Sequence, residues 1–291
     1  MNRRQFGKLV ASTAAAQALP SLPALSSDLS GGPKFSVMLW ALEKQAPFDR
    51  CLEITAQASY QGVELVGEFH KWQPAETHST MDRLRSLKLT VDSMSGVMAG
   101  FAVPEQGPAF LTQFVDQVRW AKDLECPQII LLSGKRVDSI SPAAQRQAAV
   151  DMLKRASDTA AENRLEIVIE PIDLLENPSI FLSSVSDGFE IVRAANRPNV
   201  KVLYDIYHEQ RSFGNLLEKL ENNIDSIGLI HVADVPGRHE PGTGEIDYGT
   251  IYRKLAQLHY SRFIAMEFYP TQDPVVSLRK ARETALQAMA S

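Results

Sequence analysis

Four polar side chains each follow a short apolar run in the second half of the chain: Glu170, Asp205, His231 and Glu267. A buried carboxylate that nothing compensates is costly, and three carboxylates held close together repel one another. A divalent cation bound between them would remove both penalties. Oxygen ligands with one imidazole suit Mg²⁺ or Mn²⁺, and also Co²⁺ or Zn²⁺. Any one of these residues alone could be an ordinary salt-bridge partner or core histidine, but the four together predict one divalent-metal site.

The four residues require a scaffold that brings the ends of several strands together. From residue 34 onward, short apolar runs rich in β-branched residues alternate with longer segments of helical spacing. The predicted strands are 35–40, 62–66, 90–95, 128–133, 166–172, 201–207, 226–233 and 262–269. The predicted helices are 48–59, 77–87, 109–124, 142–163, 184–195, 216–223, 248–258 and 274–289. Strict alternation of this kind predicts a parallel α/β sheet, here closed into a single-domain (β/α)8 TIM barrel over residues 31–291.

An open Rossmann-like sheet is the alternative architecture. It is disfavoured because no G-x-G-x-x-G sequence follows the first predicted strand, where that fold would use it to hold a dinucleotide. In a (β/α)8 barrel the active site lies at the carboxyl ends of the strands. The four candidate ligands end four consecutive predicted strands, so the barrel places them together.

Residues 1–30 have a different composition from the rest of the chain. Arg3 and Arg4 precede Gln and Phe, and an Ala-rich apolar stretch and several small residues follow. This arrangement resembles a twin-arginine signal and predicts export to the periplasm, whereas a disordered extension would leave the protein in the cytoplasm. Removal of residues 1–27 would leave 27 basic against 35 acidic residues and change the formal charge from -5 to -8.

The composition limits the remaining classes of function. The 291 residues are 44% hydrophobic and 22% charged, as in an ordinary globular protein. The net negative charge disfavours nucleic acid as a partner, and no apolar run in the body is long enough for a membrane span. Cys51 and Cys126 are predicted to be buried free thiols, because they belong to no Cys or His spacing typical of a metal site.

A longer motif links the chain to a known family. Residues 236–245 read PGRHEPGTGE after the seventh predicted strand, and this run is very similar to one carried by the hydroxypyruvate isomerase family of the xylose-isomerase-like barrels. The fragments EPID at 170–173 and DIYHEQ at 205–210 support the resemblance, which extends over residues 34–290. Many members of that family place Gln where this chain has His231, whereas the wider superfamily uses His there.

The resemblance implies a metal-dependent isomerase that converts hydroxypyruvate to tartronate semialdehyde through an enediolate. It implies that Glu170 and Glu267 are both metal ligands and the acid/base pair that moves the proton. It implies that Asp205 and His231 are ligands only. The substrate would be a small hydroxy acid or sugar, and relatives are often homo-oligomers.

Two residues after the sixth and seventh strands are candidates for substrate binding. His208 lies three residues beyond Asp205, where similar enzymes hold a substrate oxygen, although a loop histidine could instead bond to backbone. Arg238 lies in the Gly-rich loop, and its guanidinium suits a carboxylate such as that of hydroxypyruvate. The alternative for Arg238 is a salt bridge that anchors the loop to Glu240 or Glu245.

Three further candidates face the same end of the predicted barrel. Glu176 follows Glu170 by six residues, a spacing that resembles a substrate-binding Glu of ketose 3-epimerases, although it could be a solvated loop acid. Trp40 ends the first predicted strand and could form a pocket wall or part of the core. His70 follows the second predicted strand.

The same fold supports other functions besides isomerisation. A ketose 3-epimerase, or another sugar or sugar-phosphate isomerase, would use the same metal and Glu pair. An abasic-site endonuclease would require more histidines than the six in this chain. A Schiff-base aldolase lacks a suitable lysine, because Lys201 begins its strand at the wrong end of the barrel. A non-catalytic sugar-binding barrel would keep the pocket without depending on the metal ligands.

Overall fold

Eight parallel strands close into one barrel in the computed structural model, which describes residues 32–291. The strands are β1 (Lys34–Met38), β2 (Gly62–Val66), β3 (Thr90–Ser95), β4 (Gln128–Leu132), β5 (Glu166–Glu170), β6 (Val200–Asp205), β7 (Ile227–Val232) and β8 (Phe263–Met266). Each strand pairs with its neighbour in sequence order, and β8 pairs with β1. The predicted (β/α)8 barrel is therefore confirmed. The predicted signal segment lies outside the described residues.

Helices surround the barrel between the strands. They are α1 (Trp40–Glu43), α2 (Phe48–Gln57), α3 (Pro74–Ser86), α4 (Gly107–Asp123), α5 (Pro142–Glu162), α6 (Val185–Ala195), α7 (Ile206–Ser212), α8 (Leu216–Asn223), α9 (Tyr248–Gln257) and α10 (Pro274–Met289). Eight of them match the predicted helices to within a few residues. None of the helices in residues 32–291 is long and apolar enough to cross a membrane.

The short helices α1 and α7 correct two predicted strand ends. Trp40 begins α1 instead of ending β1, and β6 stops at Asp205 instead of continuing to Tyr207. The Asp205 side chain accepts a hydrogen bond from the backbone N–H of His208 at 3.0 Å, which makes it the N-cap of α7. A carboxylate in this position ends the strand and starts a helix, and His208 consequently lies in the first turn of that helix.

Two apolar layers form the core. The larger one lies between the sheet and the helices. The smaller one fills the barrel interior with one side chain from each of six strands, namely Met38, Ile130, Val168, Leu203, Leu229 and Ala265. The other two strands contribute acids, since Glu64 of β2 and Asp92 of β3 are both buried. Asp92 accepts a hydrogen bond from Ser36 of β1 at 2.8 Å, across the intervening strand β2.

Both cysteines are buried and free, as predicted. Burial raises the pKa of Cys51 to about 11 and also raises the pKa of Cys126. Neither thiol is therefore ionised near neutral pH, which fits an inert packing role for both.

Candidate metal centre and active site

The barrel brings the four predicted ligands together. One side-chain ligand atom from each of Glu170, Asp205, His231 and Glu267 lies within 4.8 Å of those of the other three. Strand register contributes directly, because Asp205 and His231 are paired residues of β6 and β7. All four are buried in the cluster, although Glu170 as a whole residue keeps some exposure.

Side-chain alternation explains why the four point inward. Side chains two residues apart lie on the same face of a strand. Two residues before each ligand stands a member of the interior apolar layer: Val168, Leu203, Leu229 and Ala265. The four candidate ligands therefore form a layer at the carboxyl end of the barrel. This layer lies directly above the apolar side chains of Val168, Leu203, Leu229 and Ala265, which we call the apolar floor.

The polar contacts of this layer suit a cation. His231 lies between two acids, with Nδ1 at 2.8 Å from Glu267 Oε2 and Nε2 at 3.0 Å from Glu64 Oε2. The Oδ2 atom of Asp205 is buried and has no hydrogen-bond partner among the described residues. Buried anionic oxygens without partners are costly unless a cation binds them. The donor set, three carboxylates and one imidazole, fits a hard or borderline divalent metal ion.

The two glutamates have different electrostatic surroundings. Burial, reinforced by the nearby charge of Glu267, raises the pKa of Glu170 to about 7. Burial would also raise the pKa of Glu267, but the charges of Arg238 and His231 outweigh this effect and hold it below its ordinary value. One of the two carboxyls therefore titrates near neutral pH, and the other stays firmly ionised.

Arg238 lies inside the site. Its Nη2 is 2.8 Å from Glu267 Oε2 and its Nη1 is 3.0 Å from Glu176 Oε1. The guanidinium also stacks over Trp40, with Cζ 5.1 Å from the ring centroid. The alternative prediction, a salt bridge from Arg238 to Glu240 or Glu245, is wrong, because the guanidinium pairs with Glu267 and Glu176 instead.

The PGRHEPGTGE loop is folded around Asp234. The Asp234 carboxylate accepts four backbone N–H groups, from Val235, Gly242, Gly244 and Ile246. Position 244 requires glycine, because a Cβ there would lie 2.0 Å from the carbonyl oxygen of Val235. Glu240 is buried and accepts hydrogen bonds from Thr271 and Ser277. These hydrogen bonds hold the loop in one conformation, and that conformation places Arg238 in the site.

His208 lies beside the ligand cluster and is held by a second acid. Its Nδ1 donates to Asp173 Oδ2 at 2.6 Å, and its Nε2 is 3.6 Å from Asp205 Oδ2. Burial alone would lower the pKa of His208, but these two acids raise it to about 9. Asp173 fixes the imidazole with its Nε2 edge toward the ligand cluster.

Glu176 links two arginines at the rim. Its carboxylate pairs with Arg238 and, at 3.2 Å, with Nη1 of Arg211. Ligand atoms of Glu176, Asp173 and His208 also lie within 4.8 Å of one another. Glu176 is therefore a partner of the site arginine and is more than a solvated loop acid.

The remaining two candidates differ in position. Trp40 donates from Nε1 to Glu267 Oε1 at 3.0 Å, which places it in contact with a ligand. His70 is exposed, its ring packs against Phe69 and Trp120, and its Nε2 is 3.3 Å from Gln117 Oε1. None of the polar contacts that the described residues make with His70 reaches the ligand cluster.

Sequence reasoning missed Glu64. Its strand reads Gly-Val-Glu-Leu-Val and is buried at every residue except the last, so the acid stands in the middle of an apolar run. The other acids of the site end their apolar runs, and Glu64 does not. An acid in the middle of a buried strand is itself a sequence signal for a functional or paired carboxylate, because a buried charge needs a partner in the interior.

Comparisons with known proteins agree with this architecture. A model of the xylose isomerase-like TIM barrel family matches residues 52–290. The protein named 2-oxo-tetronate isomerase of Pectobacterium atrosepticum is 28% identical over 246 residues, which cover 82% of this chain and 92% of that protein. The putative hydroxypyruvate isomerase of Homo sapiens is 29% identical over 261 residues, which cover 84% of this chain and 92% of that protein.

A solved structure shares the fold. The IolI protein, whose crystal structure is described with a bound zinc atom, superposes with a TM-score of 0.73 at 17% identity. The match covers 88% of this chain and 96% of that one. At this identity the likeness concerns the barrel itself.

Proposed function

The chain belongs to the xylose isomerase-like TIM barrel family, and from that membership we propose that it is a metal-dependent isomerase of small 3-hydroxy-2-oxo acids. Hydroxypyruvate, converted to tartronate semialdehyde, is the first candidate substrate. The two curated relatives carry names for hydroxypyruvate and 2-oxo-tetronate, and both compounds have this arrangement of carboxylate, carbonyl and hydroxyl. The observation that carries the proposal is the four converging ligand atoms, with a buried arginine 2.8 Å from one of them.

A divalent cation would be held by Glu170, Asp205, His231 and Glu267. When bound, it would act as a Lewis acid that stabilises negative charge on the substrate oxygens. The oxygen-rich set favours Mg²⁺ or Mn²⁺, and the zinc bound by the IolI protein keeps Zn²⁺ and Co²⁺ among the candidates.

The proton transfers fall to the two glutamates. A proton leaves carbon 3 of the substrate to one carboxylate, and a proton returns to carbon 2, while the hydroxyl proton passes to the former carbonyl oxygen. Glu170 ends β5 and Glu267 directly follows β8, so they can reach the substrate from two sides of the centre. A positioned acid/base group typically contributes about 10²–10⁴-fold in rate.

Binding of the substrate carboxylate is assigned to Arg238. Its guanidinium is buried among aromatic rings and already pairs with two carboxylates, which is the geometry that suits bidentate anion recognition. Glu176 orients Arg238, His208 offers Nε2 to a substrate oxygen, and Trp40 forms one wall of the pocket.

The location of the protein is a separate proposal. The paired arginines at positions 3 and 4 and the apolar stretch that follows support export to the periplasm through a twin-arginine signal. A reporter fused after residue 30 tests this, because a reporter that remains in the cytoplasm would refute the signal.

The function is tested by a metal-supplemented activity screen. The purified chain is incubated with Mn²⁺ or Mg²⁺ and with hydroxypyruvate, 2-oxo-tetronate and neutral ketoses, and the products are identified by NMR in deuterated water. We expect turnover of the oxo acids with deuterium incorporated at the accepting carbon. Turnover of neutral ketoses alone would support a ketose 3-epimerase instead, and no turnover of any substrate would support a binding barrel.

A further inference from the structure

Glu64 is a fully buried carboxylate that the proposed proton transfer does not use. It lies in the middle of β2, and neither of its oxygens makes a hydrogen bond of good geometry among the described residues. Its Oε2 is nevertheless 3.0 Å from Nε2 of His231, a buried nitrogen that likewise has no other hydrogen-bond partner there. The strands β2 and β7 are not neighbours, so this contact crosses the barrel interior. An acid there carries a desolvation cost that the imidazole must offset.

The two nitrogens of His231 face different surroundings. Nδ1 lies 2.8 Å from Glu267 Oε2 and 4.0 Å from Asp205 Oδ2, on the side where the ligand atoms converge. Among the described residues, the acid within 4.0 Å of Nε2 is Glu64. A neutral imidazole carries its proton on one nitrogen and a lone pair on the other. A cation held by the acids therefore requires the lone pair on Nδ1 and the proton on Nε2.

We propose that Glu64 is a positioning residue that accepts the Nε2 proton of His231 and so directs the Nδ1 lone pair toward the metal site. This inference rests on the proposed metal-dependent function. Histidine ligands commonly donate their other ring nitrogen to a carboxylate, which fixes the tautomer and the ring orientation. Glu64 supplies that carboxylate from a strand that contributes no residue to the ligand set.

Metal affinity tests the inference without relying on activity. Mn²⁺ is titrated calorimetrically into the metal-free full chain, into Glu64→Gln and into Glu64→Leu. Glutamine keeps an acceptor oxygen but loses the charge, and leucine loses both. We expect affinity to fall about 10-fold for Glu64→Gln and about 100-fold for Glu64→Leu, the range found for partners of metal-bound histidines.

Asp92→Asn is the matched control. Asp92 is a buried carboxylate of the adjacent strand β3, but its partner is Ser36 and it contacts none of the four ligands. The control should change Mn²⁺ affinity less than about 2-fold, well short of the loss that a partner of a metal-bound histidine causes. An equal loss in Asp92→Asn and Glu64→Gln would mean that a change at any buried carboxyl of the barrel interior weakens metal binding, and it would overturn the specific role of Glu64.

A second measurement needs no variant. Nitrogen-15 NMR of the histidine side chains, recorded on the unaltered chain with Zn²⁺ as a diamagnetic probe, reports which ring nitrogen of His231 is protonated. We expect a proton on Nε2 and metal on Nδ1, and the reverse assignment would overturn the inference. If the unaltered chain binds neither ion, the proposed metal-dependent function fails with it. Normal binding that Glu64→Gln leaves unchanged refutes the role of Glu64 alone.

Discussion

The two halves of the barrel treat polar side chains differently. In the half formed by β5–β8, the interior side chains directly beneath the candidate ligands are apolar, and one candidate ligand stands at or next to the carboxyl end of each strand. In the half formed by β1–β4, five buried polar side chains lie within the strands themselves, namely Ser36, Glu64, Asp92, Ser93 and Gln128. The acids of the first half converge at one end of the barrel, whereas Glu64 and Asp92 of the second half lie within its interior.

The difference shows how the site is constructed. An apolar floor beneath the ligands keeps water away from one side of the centre and strengthens electrostatic interactions within it. The buried acids of the other half face this floor from across the barrel, and Glu64 reaches His231 there. We expect substitutions in the ligand half to stop chemistry and substitutions in the other half to change affinity or stability.

Removal of the metal should have the largest effect. We expect EDTA to abolish turnover and Mn²⁺ or Mg²⁺ to restore it, because three clustered carboxylates need a cation to compensate their charge. Bound metal should also raise the melting temperature, since a ligand at 100 times its dissociation constant stabilises the fold by about 2.7 kcal/mol. Differential scanning fluorimetry with and without EDTA measures this. Turnover that survives complete chelation would reject the metal centre.

Substitution of an acid/base glutamate comes next. We expect Glu170→Gln to fold normally and to lose about 10²–10⁴-fold in kcat, because an amide cannot exchange the proton. Steady-state kinetics on hydroxypyruvate, with circular dichroism for the fold, measures this. Asp92→Asn serves as the matched control from the other half and should retain kcat within a few-fold. Similar losses in both variants would remove the distinction between the halves.

The sequence predicted the ligand half far better than the other half. Glu170, Asp205, His231 and Glu267 were recognisable because each interrupts an apolar run at its end, and alternation of strands and helices set their common position. The position of Arg238 depends on the four backbone N–H groups that donate to Asp234. No local sequence pattern predicts these hydrogen bonds. The partner of Glu64 lies across the barrel, 167 positions along the chain, and such a contact follows only from closure of the sheet.

A smaller effect is expected when Arg238, the proposed site of substrate carboxylate binding, is replaced. Arg238→Lys keeps the charge but loses the planar pair of donors that matches a carboxylate. We expect KM for hydroxypyruvate to rise about 10-fold or more, the value of one charge-assisted hydrogen bond, with a smaller change for any neutral ketose that the enzyme turns over. Initial-rate kinetics on both kinds of substrate measures the difference. An equal rise for both would assign Arg238 to the site's structure and not to carboxylate recognition.

The smallest effect concerns the buried acid of β3. Burial, and then the charge of Glu64, raises the pKa of Asp92 well above its ordinary value. A raised pKa means that the folded state holds this proton more tightly than the unfolded state, so the stability it contributes is complete at low pH and is lost as the pH rises toward the folded-state pKa. Asp92→Asn removes this dependence. We expect the variant to gain on the order of 1 kcal/mol relative to the unaltered chain at pH 8, because the unfolded chain gives up the Asp92 proton that the folded chain retains, and to gain less at pH 5. Urea unfolding at the two pH values measures both differences, and a variant that is equally destabilised at both would show that Asp92 is a structural acceptor whose charge does not matter.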